Sequence, residues 1–187
     1  NKPVTQEINI ILKEGSLLEY FPDPIIGYKN SRYKQNTVVH MEKGTCFIAT
    51  DIITSGWDSE GTMFSYDMLS SKTEVYLDGN MVILDHLRLN PPNQNINSLG
   101  FLEEHSHLGT MIVIGEKAEN KFLTKLSESI ESYDLKCKIG ISMLSISGFT
   151  LRVMGFSTQE IEKVFNICHE LIRKEWFGKS PVFLRKY

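Results

Sequence analysis

Between residue 7 and about residue 115 the chain is a succession of short apolar runs broken by turn residues. Ile8–Leu12, Leu17–Tyr20, Thr37–Met41, Cys46–Thr54, Met63–Tyr66, Thr73–Leu77, Met81–Leu89 and Leu108–Ile114 each have the length of a strand. Glu14-Gly15, Lys43-Gly44, Ser55-Gly56 and Asp78-Gly79 separate them. Asp78-Gly79 or Gly79-Asn80, set between Glu74–Leu77 and Met81–Leu84, predicts a hairpin, because its tight turn needs positive φ angles. Short strands at such spacing restrict the fold to a sandwich, a barrel or a β-solenoid, and no fixed-period repeat singles out the solenoid. The proline-led stretch from Asn90 to Asn95 reads as an excursion within one domain.

The tail changes character. From Glu116 to Tyr133, Phe122, Leu123, Leu126, Ile130 and Tyr133 recur at helical spacing. A second helix is expected over Ser157–Phe177, where Ile161, Val164, Phe165, Cys168, Leu171, Ile172 and Trp176 form one apolar stripe. Ser157 and Glu160 fit a capping box at its start, and Gly178 suits its end. Two strands, Lys136–Ile146 and Phe149–Met154, lie between the helices. The expected fold is therefore mainly β with two late helices, an α+β chain with a β-rich body over 1–115 and an α-β-β-α tail over 116–187.

With 187 residues, 41% of them hydrophobic, and a net charge of −3, the composition suits one globular domain with a sizeable core. Near-neutral charge gives no electrostatic case for nucleic acid or an anionic membrane. No run approaches the roughly 20 apolar residues of a membrane-spanning helix, and none reads as a signal peptide. Cys46, Cys137 and Cys168 are widely spaced, show no metal-ligand pattern, and read as reduced thiols of a cytoplasmic protein.

Candidate chemistry is sparse. His105-Ser106-His107, preceded by Glu103-Glu104, is the one metal-like cluster. In an extended strand, residues two apart face the same way, so both rings can face one ion. The alternative is a set of polar loop residues, since two ligands lack the third and fourth of a closed site. Cys168 falls on the apolar stripe of the last helix, and His169 falls off it, where solvent is expected. No nucleophile with a recognisable base, no Gly-rich phosphate loop and thus no GTPase machinery is present, and no catalytic or cofactor-binding residue is assigned. Glu19 and Asp51 each sit in a strongly apolar strand-like run. Each is either at a solvated strand end or faces an internal polar space, because a buried carboxylate needs hydrogen bonds, a paired charge or a cation.

Leu18-Glu19-Tyr20-Phe21-Pro22-Asp23-Pro24-Ile25-Ile26-Gly27-Tyr28, then Gln35, then Thr50-Asp51-Ile52-Ile53-Thr54-Ser55-Gly56-Trp57-Asp58-Ser59-Glu60-Gly61, resembles the urease accessory protein family UreD, also called UreH. Leu84-Asp85 with Leu87-Arg88-Leu89-Asn90-Pro91, His107-Leu108-Gly109-Thr110, and the closing Phe183-Leu184-Arg185-Lys186-Tyr187 extend the resemblance over nearly the whole chain, in the manner of members from Gram-positive bacteria. One departure is Thr62, in Gly61-Thr62-Met63-Phe64, where the family usually has Glu; that acid's role cannot be carried over.

The resemblance implies a fragment matching the middle and carboxy-terminal part of such a protein, folded as a helix-like stack of strands with two helices. It implies a urease maturation factor without turnover of its own, binding the urease apoprotein, UreF and UreG and assisting nickel delivery. No tightly bound cofactor is expected, only transient nickel(II), with Glu19, Asp51, Asp85, His105 and His107 as the candidate metal residues. Strands missing from the fragment would leave an unpaired edge and favour self-association. A small β-rich metalloenzyme and an unrelated protein-binding module are the alternatives.

Overall fold

In a computed structural model that describes residues 2–182, the strands wind as a flattened coil that closes into two facing sheets. β1 (Val4–Leu12), β3 (Arg32–Met41) and β5 (Met68–Leu77) stack in parallel, and β6 (Asn80–Leu89) joins β5 antiparallel. The second sheet has the order β2 (Leu17–Tyr20), β4 (Cys46–Ile53), β7 (His107–Ile114), β9 (Gly148–Gly155), β8 (Lys138–Met143). β2 and β4 are parallel there, and the rest are antiparallel.

The parallel pairs explain why no repeat is legible. The same sequence offset relates Val4 to Tyr33 and Leu17 to Cys46, so the first turn of the coil is regular in both sheets. The step from Tyr33 to Leu69 is longer, because the 54–67 loop intervenes. After that the chain turns back through the β5–β6 hairpin. Its two-residue loop, Asp78-Gly79, has φ of 47° and 82°, the doubly left-handed geometry that this dipeptide favours.

Met63–Tyr66, expected as a strand, belongs to that loop instead. Phe64 adopts φ of 56° and Tyr66 is fully buried, so its apolar residues fill the end of the sandwich without pairing. The other expected strands are present, with ends shifted by a few residues.

Helices α1 (Asn120–Glu131) and α2 (Thr158–Phe177) cover the outer face of the five-stranded sheet. Alternation along β9 sends Phe149, Leu151 and Val153 toward the helices, where they meet Val164, Phe165 and Cys168 among others. Gly109 of β7 lets α2 come close: a Cβ there would lie 2.4 Å from Ile161 Cγ2 and 2.7 Å from Phe165 Cζ. Ser157 Oγ accepts from the Glu160 N–H at 3.2 Å, as the capping box requires. The Glu160 carboxylate reaches one residue further back than expected and accepts from the Phe156 N–H. Gly178 ends the helix with φ of 62°. The Phe183–Tyr187 motif lies outside the described residues.

The space between the two sheets is not uniformly apolar. One apolar cluster fills one end, built on Val39, Phe47, Val75 and Ile112. A second, built on Ile53, Tyr66, Leu69 and Leu89, fills the other. A polar layer separates them.

Candidate functional site

That polar layer follows from strand registers. In β4, Phe47, Ala49 and Ile53 point between the sheets and Ile48 and Ile52 point at the helices, so Asp51 is carried inward with the first set. Asp51 lies beside Thr110 of β7, which lies beside Arg152 of β9. On the facing sheet Thr37, Thr73 and Asp85 are in register across β3, β5 and β6. These rows enclose a cavity of about 40 Å³, lined among others by Gln35, Thr37, Asp51, Ser71, Asp85 and Thr110. Water needs roughly 10–15 Å³ of such space, so the cavity is large enough for a hydrated interior.

Asp51 is its most unusual group. Ser71 donates to Oδ2 at 2.7 Å, whereas Oδ1 is shut off from solvent and has no hydrogen-bond partner. Burial pushes this carboxyl above the ordinary aspartate value; the Ser71 hydroxyl opposes the shift and the charge of Asp85 adds to it. The hydroxyls of Tyr20 and Tyr33 are pushed up as well, first by burial and then by the charge of Asp51. Asp85 itself is paired: Arg152 donates to it across the gap from the other sheet.

Tyr20, Pro22 and Gln35 line both the cavity and an open groove of about 480 Å³ between β1, the 22–31 loop and the start of β3. The groove also carries Asp23, Arg32 and the Tyr33 hydroxyl, which donates to Gln6 Oε1 at 2.6 Å and lies 3.2 Å from Gln35 Oε1. An acid-bearing polar seam thus crosses the sandwich from this groove to the Asp85–Arg152 pair.

Glu19 does not share this seam. Alternation in β2 turns Tyr20 into it and Glu19 onto the helical face. There Arg173 Nη1 donates to both carboxylate oxygens at 2.8 Å, and His169 Nε2 lies 3.0 Å from Oε1. Burial alone would raise the Glu19 carboxyl, but the hydrogen bonds from His169 and Arg173 outweigh it and hold the group below its ordinary value. His169, expected in solvent, is buried at 6% exposure and meets Phe21 edge-on. The reason is position: it follows Phe165 by one helical turn and precedes Arg173 by another, so it rides the edge of the buried face.

His105 and His107 also stand apart from the aspartates. His105 lies in the turn before β7, with Nδ1 2.9 Å from the Leu102 carbonyl and its ring stacked on Phe156. Strand alternation therefore does not extend to it. His107 opens β7 with Nδ1 2.8 Å from Ser106 Oγ, and burial lowers its pKa despite the nearby Glu160. Among the described residues no three His, Cys, Asp or Glu side chains are arranged as a metal-ligand set.

The thiols are not activated. Burial, and then the charge of Glu19, pushes Cys46 up to about 12, and burial raises Cys168 further. Thr62 lies in the same loop as Asp58, whose carboxyl is held low first by the Glu60 N–H and also by Thr62 and Lys29. Among the described residues no helix is long and apolar enough to cross a membrane.

The missed elements of the site are Arg152, Ser71 and the α2 residues around Glu19. Arg152 was visible as the polar position in the alternating Phe149-Thr150-Leu151-Arg152-Val153 run. That alternation places it opposite the apolar stripe. Its partner Asp85 belongs to another sheet and has no local signal.

Comparison with known proteins gives one consistent result. The profile of the family described as "UreD urease accessory protein" matches residues 1–186. The urease accessory protein UreD of Lachnoclostridium phytofermentans is 62% identical over 185 residues, spanning 99% of this chain and 68% of that protein. The UreD of Bacillus sp. strain TB-90 is 40% identical over 186 residues and that of Bacillus cereus 34% over 187, each spanning 100% of this chain and 68% of the relative.

Proposed function

The chain belongs to the UreD family of urease accessory proteins, and from that premise we propose that it acts in urease maturation as a non-catalytic scaffold for nickel delivery. It binds the urease apoprotein together with UreF and UreG, in the cytoplasm, and holds nickel(II) only in passing. The observation that carries this reading is the polar seam around Asp51. An aspartate oxygen left without a hydrogen bond, facing a small cavity of mixed polar and apolar lining, is an available ligand for a cation. Oxygen donors alone, from Asp51, Asp85, Ser71 and the threonine hydroxyls, are weak ligands for nickel, which suits release over retention.

Within the seam each residue has a separate task. Asp51 supplies an oxygen ligand at the centre, and Ser71 orients its other oxygen. Tyr20 and Gln35 border the entrance from the groove. Glu19, engaged by Arg173 and His169, fixes β2 beneath α2 and so holds the entrance strand in place. His105 and His107, at the surface end of β7, are proposed as an outer contact for the ion and not as part of the interior route.

Pull-down of the chain with urease, UreF and UreG tests the scaffold reading. Co-purification of all three is expected, and a chain that retains none of them contradicts it.

A further inference from the structure

We propose that Arg152 is the gate of the seam, its guanidinium standing at Asp85 where a divalent cation would otherwise bind across Asp51 and Asp85. This rests on the nickel-route reading and adds a residue and a control to it.

Three observations support it. First, Asp51, Thr110 and Arg152 lie side by side across β4, β7 and β9, so the guanidinium continues the row that Asp51 begins. Second, Arg152 does not pair within its own sheet. It reaches to Asp85 of the facing sheet, closing the seam on the side away from the groove. Third, the pairing around the cavity is incomplete. Arg152 pairs with Asp85, while Oδ1 of Asp51, shut off from solvent, is left without a hydrogen bond.

The gate is built to open. The Arg152 side chain is 49% exposed, so its guanidinium has solvent to move into. A partly solvated ion pair is weakly held. A dehydrating divalent cation that arrives through the groove competes with it for Asp85, and Asp51 stays fixed by Ser71. Opening therefore couples arrival of the ion to release of the far side.

The test is nickel(II) binding to the chain by isothermal titration calorimetry, with folding checked by circular dichroism. R152M removes the competing charge while keeping a long stem, and is expected to tighten nickel binding about tenfold, the scale of one removed charge–charge contact. R152K keeps the charge and is expected to bind as the wild type does. D51N added to R152M is expected to abolish the gain. Binding to R152M no tighter than to wild type overturns the gate, as does a gain that survives D51N, which would put the ion elsewhere. Should R152M not fold, R152Q takes its place with the same readings. The route itself fails separately: unchanged urease activation by D51N and D85N removes nickel passage without altering these binding results.

Discussion

Arg173 of α2 donates through Nη1 to both carboxylate oxygens of Glu19 in β2, at 2.8 Å each. The same guanidinium donates through Nε to the Ser180 carbonyl at 2.7 Å. One arginine thus ties the last helix, the segment after it and the short strand that leads to the seam. Glu19 is a joint between layers, and Asp51 and Asp85 are the acids of the interior.

Glu19→Gln should loosen that joint. It keeps the shape but loses charge-assisted bonding, and a stability loss of about 1–3 kcal/mol is expected in urea denaturation at neutral pH. The Glu19 carboxyl is held low in the fold, against an ordinary value near 4.3. Its contribution is therefore present above that unfolded value and is lost as pH falls through the lower folded one. The gap between wild type and variant should close on acidification below about pH 4. A gap that is the same at pH 7 and pH 3 would show that charge has no part in the joint.

Asp51 should behave in the opposite sense. Its carboxyl is raised by burial, so the neutral form suits the fold. Its stabilising contribution is complete below the unfolded value near 3.9 and disappears as pH rises through the folded value. Asp51→Asn still accepts from Ser71 and never ionises. The variant should gain on the wild type steadily as pH is raised toward 7, read as the difference in thermal midpoint. A difference independent of pH would mean that Asp51 does not titrate in the cavity.

Gly109 and Phe165 should be coupled. Gly109→Ala drives a methyl group into Ile161 and Phe165, and a loss of about 1–3 kcal/mol is expected from overpacking. Phe165→Ala, at a buried position, should cost about 3–5 kcal/mol. Together they should cost less than the sum, since the smaller side chain makes room for the methyl. Strict additivity in denaturation would place α2 further from β7 than described.

The edge of the coil gives a solution prediction. Among the described residues β1 pairs on one side alone, with β3, and exposes Val4 and Ile11. Such an edge recruits further strands. Light scattering should report mass increasing with concentration, and a constant monomer mass would contradict it.

Much of the architecture was legible in local chemistry. Asp78-Gly79 announced its hairpin through backbone geometry. Ser157, Glu160 and Gly178 marked the ends of α2 through the free groups of a helix terminus. The partners at the site were not legible in the same way. Glu19 meets residues 150 and 154 positions away, and Asp85 meets one 67 positions away. These contacts depend on how the coil closes and which face α2 turns inward. His169 shows the difficulty: it falls off the apolar stripe of α2 and so reads as solvated, whereas it is buried at the stripe's edge, one turn after Phe165 and one before Arg173. Met63–Tyr66 shows the converse, an apolar run that caps the sandwich without becoming a strand.

The central claim is that the seam acids carry nickel while leaving the scaffold intact. Its most direct test is the nickel content of urease matured with Asp51→Asn and Asp85→Asn forms of this chain in the presence of UreF and UreG, measured by elemental analysis beside pull-down of the assembled complex. Nickel per urease active site should fall well below the wild-type level while all partners still co-purify. Full nickel loading by both variants, or loss of the complex itself, would contradict the account.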